Sequence, residues 1–253
     1  MRLHRLTLLV AAGAAVLSGC APRVVSTSAP MASPIDGARD LVLVTTSGWD
    51  ETSGVLRRFS RQGDEAAWSA VGEAVPVVVG RTGLAWDDSR AAPVYGAPVK
   101  REGDGRAPAG AFPLDTAFGF APRASVPWVR LPYVGLLPTT ECVDDVRSTH
   151  YNTIVDRRAV ARVDWTSSEQ MRQIDQYRLG VHVAYNAPPR ASRGSCIFLH
   201  VWAGPGTSTA GCTAMEESKL AQIVRWLVPE RRPMLVQLPE SELARLRGAW
   251  GLP

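Results

Sequence analysis

Apolar residues in this chain fall mostly in short branched runs separated by glycine, rather than in long helical stripes. Residues 41–46 (Leu-Val-Leu-Val-Thr-Thr), 55–59 and 75–79 are such runs, with Gly54, Gly63, Gly72 and Gly80 between them. They predict short strands, as do residues 111–114 and 235–238. The run 195–202 (Ser-Cys-Ile-Phe-Leu-His-Val-Trp) reads as a buried strand. Alternation along it sets Cys196, Phe198, His200 and Trp202 on one face. Helical spacing is rarer. Thr166 with Glu169 has capping-box spacing, followed by Met171 and Ile174. Thr213 with Glu216 repeats it before Leu220, Ile223, Val224 and Leu227, and Pro229 ends that pattern. Residues 241–247 predict a short terminal helix closed by Gly248. The class expected is predominantly β with a few helices.

The N-terminus has another character. Arg2 and Arg5 precede an apolar stretch at 8–17 that is too short for a permanent span, which predicts a signal peptide over 1–19. Leu17-Ser18-Gly19-Cys20 resembles a lipobox, so Cys20 is the expected lipidation site. Residues 20–38, rich in Ser, Pro and Ala, predict a flexible tether, and 39–253 one folded domain. An exported lipoprotein on the periplasmic side follows. Ala21 stands after the cysteine where an aspartate would suggest inner-membrane retention, which favours the outer membrane.

Without Arg2 and Arg5 the formal charge falls from +4 to +2 (26 basic against 24 acidic side chains). That balance, with no basic cluster, argues against nucleic acid. Residues 100–110 (KREGDGRAPAG) lack the Gly-Lys-Ser/Thr ending of a phosphate loop and read as a structured turn. The Asp144-Asp145 pair reads as a solvated turn, and the role of His182 is open.

Cys212 follows a glycine-rich loop (203–211) and stands at the predicted helix start. There the helix dipole would favour a thiolate, although Glu216 and Glu217 oppose it. His200, within reach, would accept the thiol proton, and Gly211 would let backbone amides approach an oxyanion. Ser208 and Thr209 would orient the loop. No serine-hydrolase or zinc motif is present: on a strand Cys196 and His200 stand ~13 Å apart, too far to share an ion. Neither a metal nor a cofactor is expected.

His200 and Ser208-Thr-Ala-Gly-Cys212 resemble the signature of the L,D-transpeptidase (YkuD-type) catalytic domain. The KREGDGRAPAG loop, the ECVDD segment, Tyr151-Asn152 and GSCIFLH look like a divergent branch of it, and the likeness covers most of 41–238. The resemblance implies a β-sandwich-type catalytic domain acting on peptidoglycan stem peptides. It makes Cys212 the nucleophile, His200 the strand histidine and Gly211 the glycine before the nucleophile. Tyr151, Asn152, Tyr185 and Asn186 become substrate-side groups. Cys212 would attack the carbonyl of the diamino acid in a stem tetrapeptide, expel D-alanine and form a thioester. An amine of a second stem would resolve it into a crosslink, and water would make the protein a carboxypeptidase.

The chain departs from that pattern in three ways. Ala210 replaces the histidine usual before the glycine. Thr213, Ala214 and Met215 stand where an arginine or asparagine is common, and the loop is shorter. Two function classes therefore stay open, a thioacyl enzyme and a lipoprotein that binds peptidoglycan without turnover. With Cys20 lipidated three cysteines remain, and Cys142 with Cys196 is the natural disulfide pair in an oxidising compartment. The alternative is two buried, unpaired thiols.

Overall fold

The computed structural model describes residues 33–88 and 96–253. The leader, the lipobox with Cys20, and tether residues 20–32 lie outside the described residues. The folded body begins earlier than residue 39. Ile35 and Ala38 are buried in the core. The Ser33 hydroxyl donates to the Trp250 carbonyl (2.8 Å), and the Arg61 Nε–H to that of Ala38 (2.6 Å). Apolar side chains at 35 and 38 thus end the tether near residue 33.

The first half supplies β1 (Asp40–Thr46), β2 (Ser53–Ser60), β3 (Ser69–Val78), β4 (Leu84–Trp86), β5 (Ala107–Gly119) and β6 (Tyr133–Gly135). After them come β7 (Thr140–Val143), β8 (Ile154–Asp156), β9 (Ser168–Gln170), β10 (Leu179–Val183), β11 (Phe198–Val201) and β12 (Thr213–Met215). Helix α1 (Glu217–Trp226), β13 (Met234–Pro239) and helix α2 (Glu240–Trp250) complete the chain. The strands β10-β11-β12-β3-β2-β1-β13-β5 lie side by side in that order, and β5 returns to pair with β10. The main sheet is therefore a closed eight-stranded barrel. Closure leaves these strands no free edge and replaces the sandwich arrangement expected from the resemblance.

Every residue of β1 is buried, because β2 and β13 pair with its edges and α2 packs against it. Its centre, residues 41–44, accordingly reads as a continuous apolar run. Ile197, Leu199 and Val201 join the main core, together with Leu220, Ile223 and Val224 of α1. Phe198 belongs instead to a second cluster with Phe118, Met171, Tyr177 and all three cysteines of the folded body. This outer face lies under a small sheet, β8-β7-β9, and two 3₁₀ turns at Met171–Gln173 and Asp175–Arg178.

Three helix expectations need correction. Residues 166–174 form β9 and a 3₁₀ turn: Asp145 takes the Thr166 hydroxyl (2.8 Å), and Tyr177 takes Glu169 (2.6 Å), so neither caps a helix. At the second site Thr213 lies in β12 with its hydroxyl on Gln237 (2.6 Å), and α1 starts only at Glu217. The last helix runs through Gly248 and closes at Gly251, whose φ of 63° is the left-handed cap. The 100–110 segment is a turn tied by Asp104, which accepts from Lys100 Nζ (2.7 Å) and from the amides of Arg101 and Arg106 (2.7 and 2.9 Å).

Glu141 in β7 is the polar keystone of the small sheet. It is 1% exposed and accepts from Arg157 (3.0 Å), the Trp165 indole (2.7 Å) and Ser168 (2.8 Å). Burial pushes its pKa up, but hydrogen bonds from Gln170, Ser168, Trp165 and Arg157 outweigh that and hold it at about 2. A carboxyl depressed in the folded state stabilises fully above its ordinary value of 4.5, and this contribution is lost as pH falls towards 2. Across that window the Tm of wild type is expected to fall further than that of Glu141→Gln, by roughly 5 °C. Parallel melting curves would show that Glu141 carries no such linkage.

Candidate active site

Cys212 is placed by register. β11 and β12 are parallel, with Leu199 opposite Thr213 and His200 opposite Ala214. Cys212 therefore falls beside Phe198 on the outer face of the barrel, and the Phe198 amide donates to Sγ (3.3 Å). The thiol donates to the Cys196 carbonyl (3.4 Å). A strand, not a helix N-terminus, follows the cysteine, so the expected dipole assistance to a thiolate is absent here.

The loop before Cys212 is fixed at both sides. Thr209 exchanges backbone bonds with the barrel, its amide donating to Val79 (3.0 Å) and its carbonyl accepting from Arg81 (2.8 Å). Its hydroxyl donates to the Cys212 carbonyl (2.6 Å) and accepts from the Gly211 amide (3.1 Å). Thr209 thus orients the cysteine backbone. Gly211 has φ 156°, and a Cβ there would stand 3.1 Å from the Arg106 carbonyl oxygen. Gly211→Ala is expected to cost about 1–3 kcal/mol in urea unfolding through backbone strain and crowding. A change below ~0.5 kcal/mol would mean the loop relaxes freely.

Cys142 and Cys196 are joined by a disulfide with Cα atoms 6.0 Å apart. Cys212 is the free cysteine among the described residues, buried at 6% exposure. It lies at a cleft of about 180 Å³ whose polar walls include Arg81, Lys100, Glu102, Asp144 and Glu169. Asp144 is therefore a cleft residue, with Oδ1 buried and lacking a hydrogen-bond partner. Only Asp145 is a turn group, and it too is buried, against Thr166 and Arg147. Gly211 and Ala210 complete the floor.

Electrostatics in this cleft keep the thiol protonated. Burial pushes Cys212 well above the ordinary thiol range, and the charge of Glu169 adds to it. The Phe198 amide, the Tyr177 hydroxyl and Lys100 offset only part of that. Glu169 itself is pushed up to about 7 by burial, with Asp144 and Glu102 adding and the Tyr177 hydroxyl opposing.

His200 stands elsewhere than the sequence suggested. It is on the same face as Phe198, as alternation requires, but no hydrogen bond joins it to Cys212. Its Nδ1–H donates to the Val201 carbonyl (2.8 Å), which leaves Nε2 as the basic nitrogen. Burial lowers its pKa to about 4. The ring packs edge-on against Tyr177, centroids 5.2 Å apart. It opens on a neighbouring cleft of about 200 Å³ with Trp202, Ser208 and Thr209. Ala210 borders both clefts.

Tyr151, Asn152, Tyr185 and Asn186 do not line the cysteine cleft; they brace its wall. The Tyr151 hydroxyl donates to the Glu102 carboxylate and accepts from the Gly194 amide (3.2 Å). Asn152, at φ 62°, accepts from the Cys196 amide (3.0 Å) and donates to the Tyr185 carbonyl (2.9 Å). The Tyr185 hydroxyl donates to the Arg193 carbonyl, and Asn186 Nδ2 donates to those of Arg190 and Gly194 (both 3.0 Å). All four are buried, and their polar atoms are spent on Glu102 and on the 185–196 segment that carries Cys196. His182, open in the sequence, pairs with Asp115 (2.9 Å), its ring 6.1 Å from that of Phe198.

The residues that sequence reasoning missed are Tyr177, Glu169, Glu102 and Lys100. Glu169 was masked by its capping-box spacing, and Tyr177 sits in a 3₁₀ turn without periodicity.

Neither protein-family models nor curated proteins give a match to this chain. Among solved structures it is similar to Bdellovibrio bacteriovorus Bd1075, with 13% identity and a TM-score of 0.38. The alignment covers 85% of this chain and 55% of that one, so the chain spans about half the length of that protein.

Proposed function

We propose that this chain is an exported lipoprotein, anchored through Cys20, whose barrel domain carries out L,D-transpeptidase-like thioacyl chemistry on peptidoglycan stems. The observation that carries the proposal is the free thiol of Cys212. It borders a charged cleft, on a loop end fixed by Thr209 and Gly211, while the other two cysteines of the folded body are tied together. Carboxylates together with Lys100 and Arg81 in one cleft suit a stem peptide, which carries both amine and carboxylate groups. Cys212 attacks the diamino-acid carbonyl, D-alanine leaves, and an amine or water resolves the thioester.

A second reading keeps the partner and drops the turnover. The thiol is neutral and shielded, and Ala210 leaves no polar side chain between the two clefts. Both features suit a peptidoglycan-binding lipoprotein or a slow carboxypeptidase. The discriminating experiment incubates the full chain with tetrapeptide muropeptides, with and without a second amine-bearing stem, and identifies products by mass spectrometry. Crosslinked dimer is the expected product and trimmed tripeptide the carboxypeptidase outcome. Bound but unchanged muropeptide would support the binder.

A further inference from the structure

We infer that Glu169, acting through the Tyr177 hydroxyl, is the group that takes the proton of Cys212. The β7–β9 register sets Glu169 opposite Cys142, on the cover directly above the outer cluster that holds Cys212. The Tyr177 hydroxyl donates to Glu169 Oε2 (2.6 Å), and Tyr177 shares the buried outer cluster with Cys212, whose thiol pKa its hydroxyl lowers. Its ring is held by Phe118 and Phe198, with centroids 5.7 and 5.3 Å away, so the hydroxyl has little freedom to leave this line. Glu169 and Cys212 line the same cleft, and Tyr177, bonded to Glu169 and packed on His200, lines the neighbouring one.

The charged groups facing Glu169 are the carboxylates Asp144 and Glu102, with Lys100 and Arg81 also on the cleft walls. Burial and the two carboxylates bring Glu169 to about 7, the range in which a general base works best at neutral pH. The shielded thiol holds no standing anion, so its proton leaves as sulfur attacks. In that step the S–H turns away from the Cys196 carbonyl on which it rests, its bond breaks and the proton passes to the Tyr177 oxygen. The Tyr177 proton passes in turn to Glu169 Oε2, and the sulfur electron pair forms the bond to the carbonyl carbon. The C=O π pair moves onto oxygen as an oxyanion and returns to re-form C=O as the C–N bond breaks. Glu169 becomes a neutral acid, and no net charge is created in the buried pair. When the C–N bond breaks, that acid returns the proton to the leaving nitrogen of D-alanine. This second half rests on the thioacyl reading proposed above; the first half concerns the thiol alone.

The test exploits a difference in sign. Iodoacetamide alkylation of the full chain in mild detergent, without reductant, is followed on the Cys212 peptide from about pH 5 to about pH 9. If Glu169 acted only as a neighbouring charge, Glu169→Gln would lower the thiol pKa and speed alkylation. As the proton acceptor, its loss slows alkylation at pH 7 by at least about tenfold, and removes the rise that wild type shows through about pH 7. Tyr177→Phe is expected to show the same slowing, with far-UV circular dichroism and the disulfide unchanged in both variants. Alkylation in Glu169→Gln as fast as wild type, or faster, overturns the inference. So does a folded wild type inert over the whole range. A profile that moves in His200→Gln and stays put in Glu169→Gln returns the proton to the histidine. Slowed alkylation in Glu169→Gln together with no D-alanine release by wild type leaves the proton assignment standing and removes the cell-wall reading.

Discussion

Replacing Cys212 by serine is expected to lower D-alanine release from tetrapeptide stems by at least about 10³-fold while leaving the fold intact. Serine is the informative variant because the Phe198 amide, which donates to Sγ, keeps an acceptor. Alanine removes that acceptor from a buried N–H, which costs about 1–3 kcal/mol and mixes stability with chemistry. A hydroxyl in the same place is a far weaker nucleophile at neutral pH, and Glu169 is poorly matched to deprotonate it. Release measured by chromatography at saturating muropeptide separates loss of chemistry from loss of binding. A serine variant with wild-type turnover would mean that the bond is broken elsewhere in the chain.

The second large effect is on stability. Changing Cys142 and Cys196 together to serine is expected to cost about 4 kcal/mol in urea unfolding, from the chain entropy of closing a loop of 54 residues. The same change should raise the alkylation rate of Cys212. Cys142 belongs to β7 of the small sheet, and Cys196 to the segment that lines the cleft, so the bond clamps the cover onto the outer face. A double variant avoids a new pairing between Cys212 and whichever cysteine is left. Unchanged stability and unchanged thiol reactivity would show that packing among Phe118, Tyr177 and Phe198 holds the cover alone.

Several strands were legible in the sequence because β1 and β13 are buried along almost their whole length, so that residues 41–44 and 234–238 are mostly branched or apolar. Strand alternation also gave the correct face for Phe198 and His200. The failures share a cause: short polar residues were read by local spacing when distant partners decide them. Thr166 and Thr213 have the spacing of helix caps, yet Asp145 and Gln237 take their hydroxyls. Glu169 looked like a capping residue and is drawn to Tyr177 instead. Tyr151, Asn152 and Tyr185 stand out as polar aromatic and amide groups, but their bonds go to backbone and to Glu102. The site shows the same division. Cys212 and its fixed loop stand out in the chain itself. Its proton partner, by contrast, depends on a second layer packed on the barrel, and nothing in the 195–212 segment announces that layer.

The central claim is that Cys212 carries an acyl group, and intact-mass spectrometry after brief incubation with tetrapeptide muropeptide and an acid quench tests it most directly. The account predicts an adduct on the Cys212 peptide equal to the muropeptide less D-alanine, removed by hydroxylamine as a thioester must be. D-alanine release without that adduct, or folded protein with Cys212 reduced and unmodified and no D-alanine released, would contradict it.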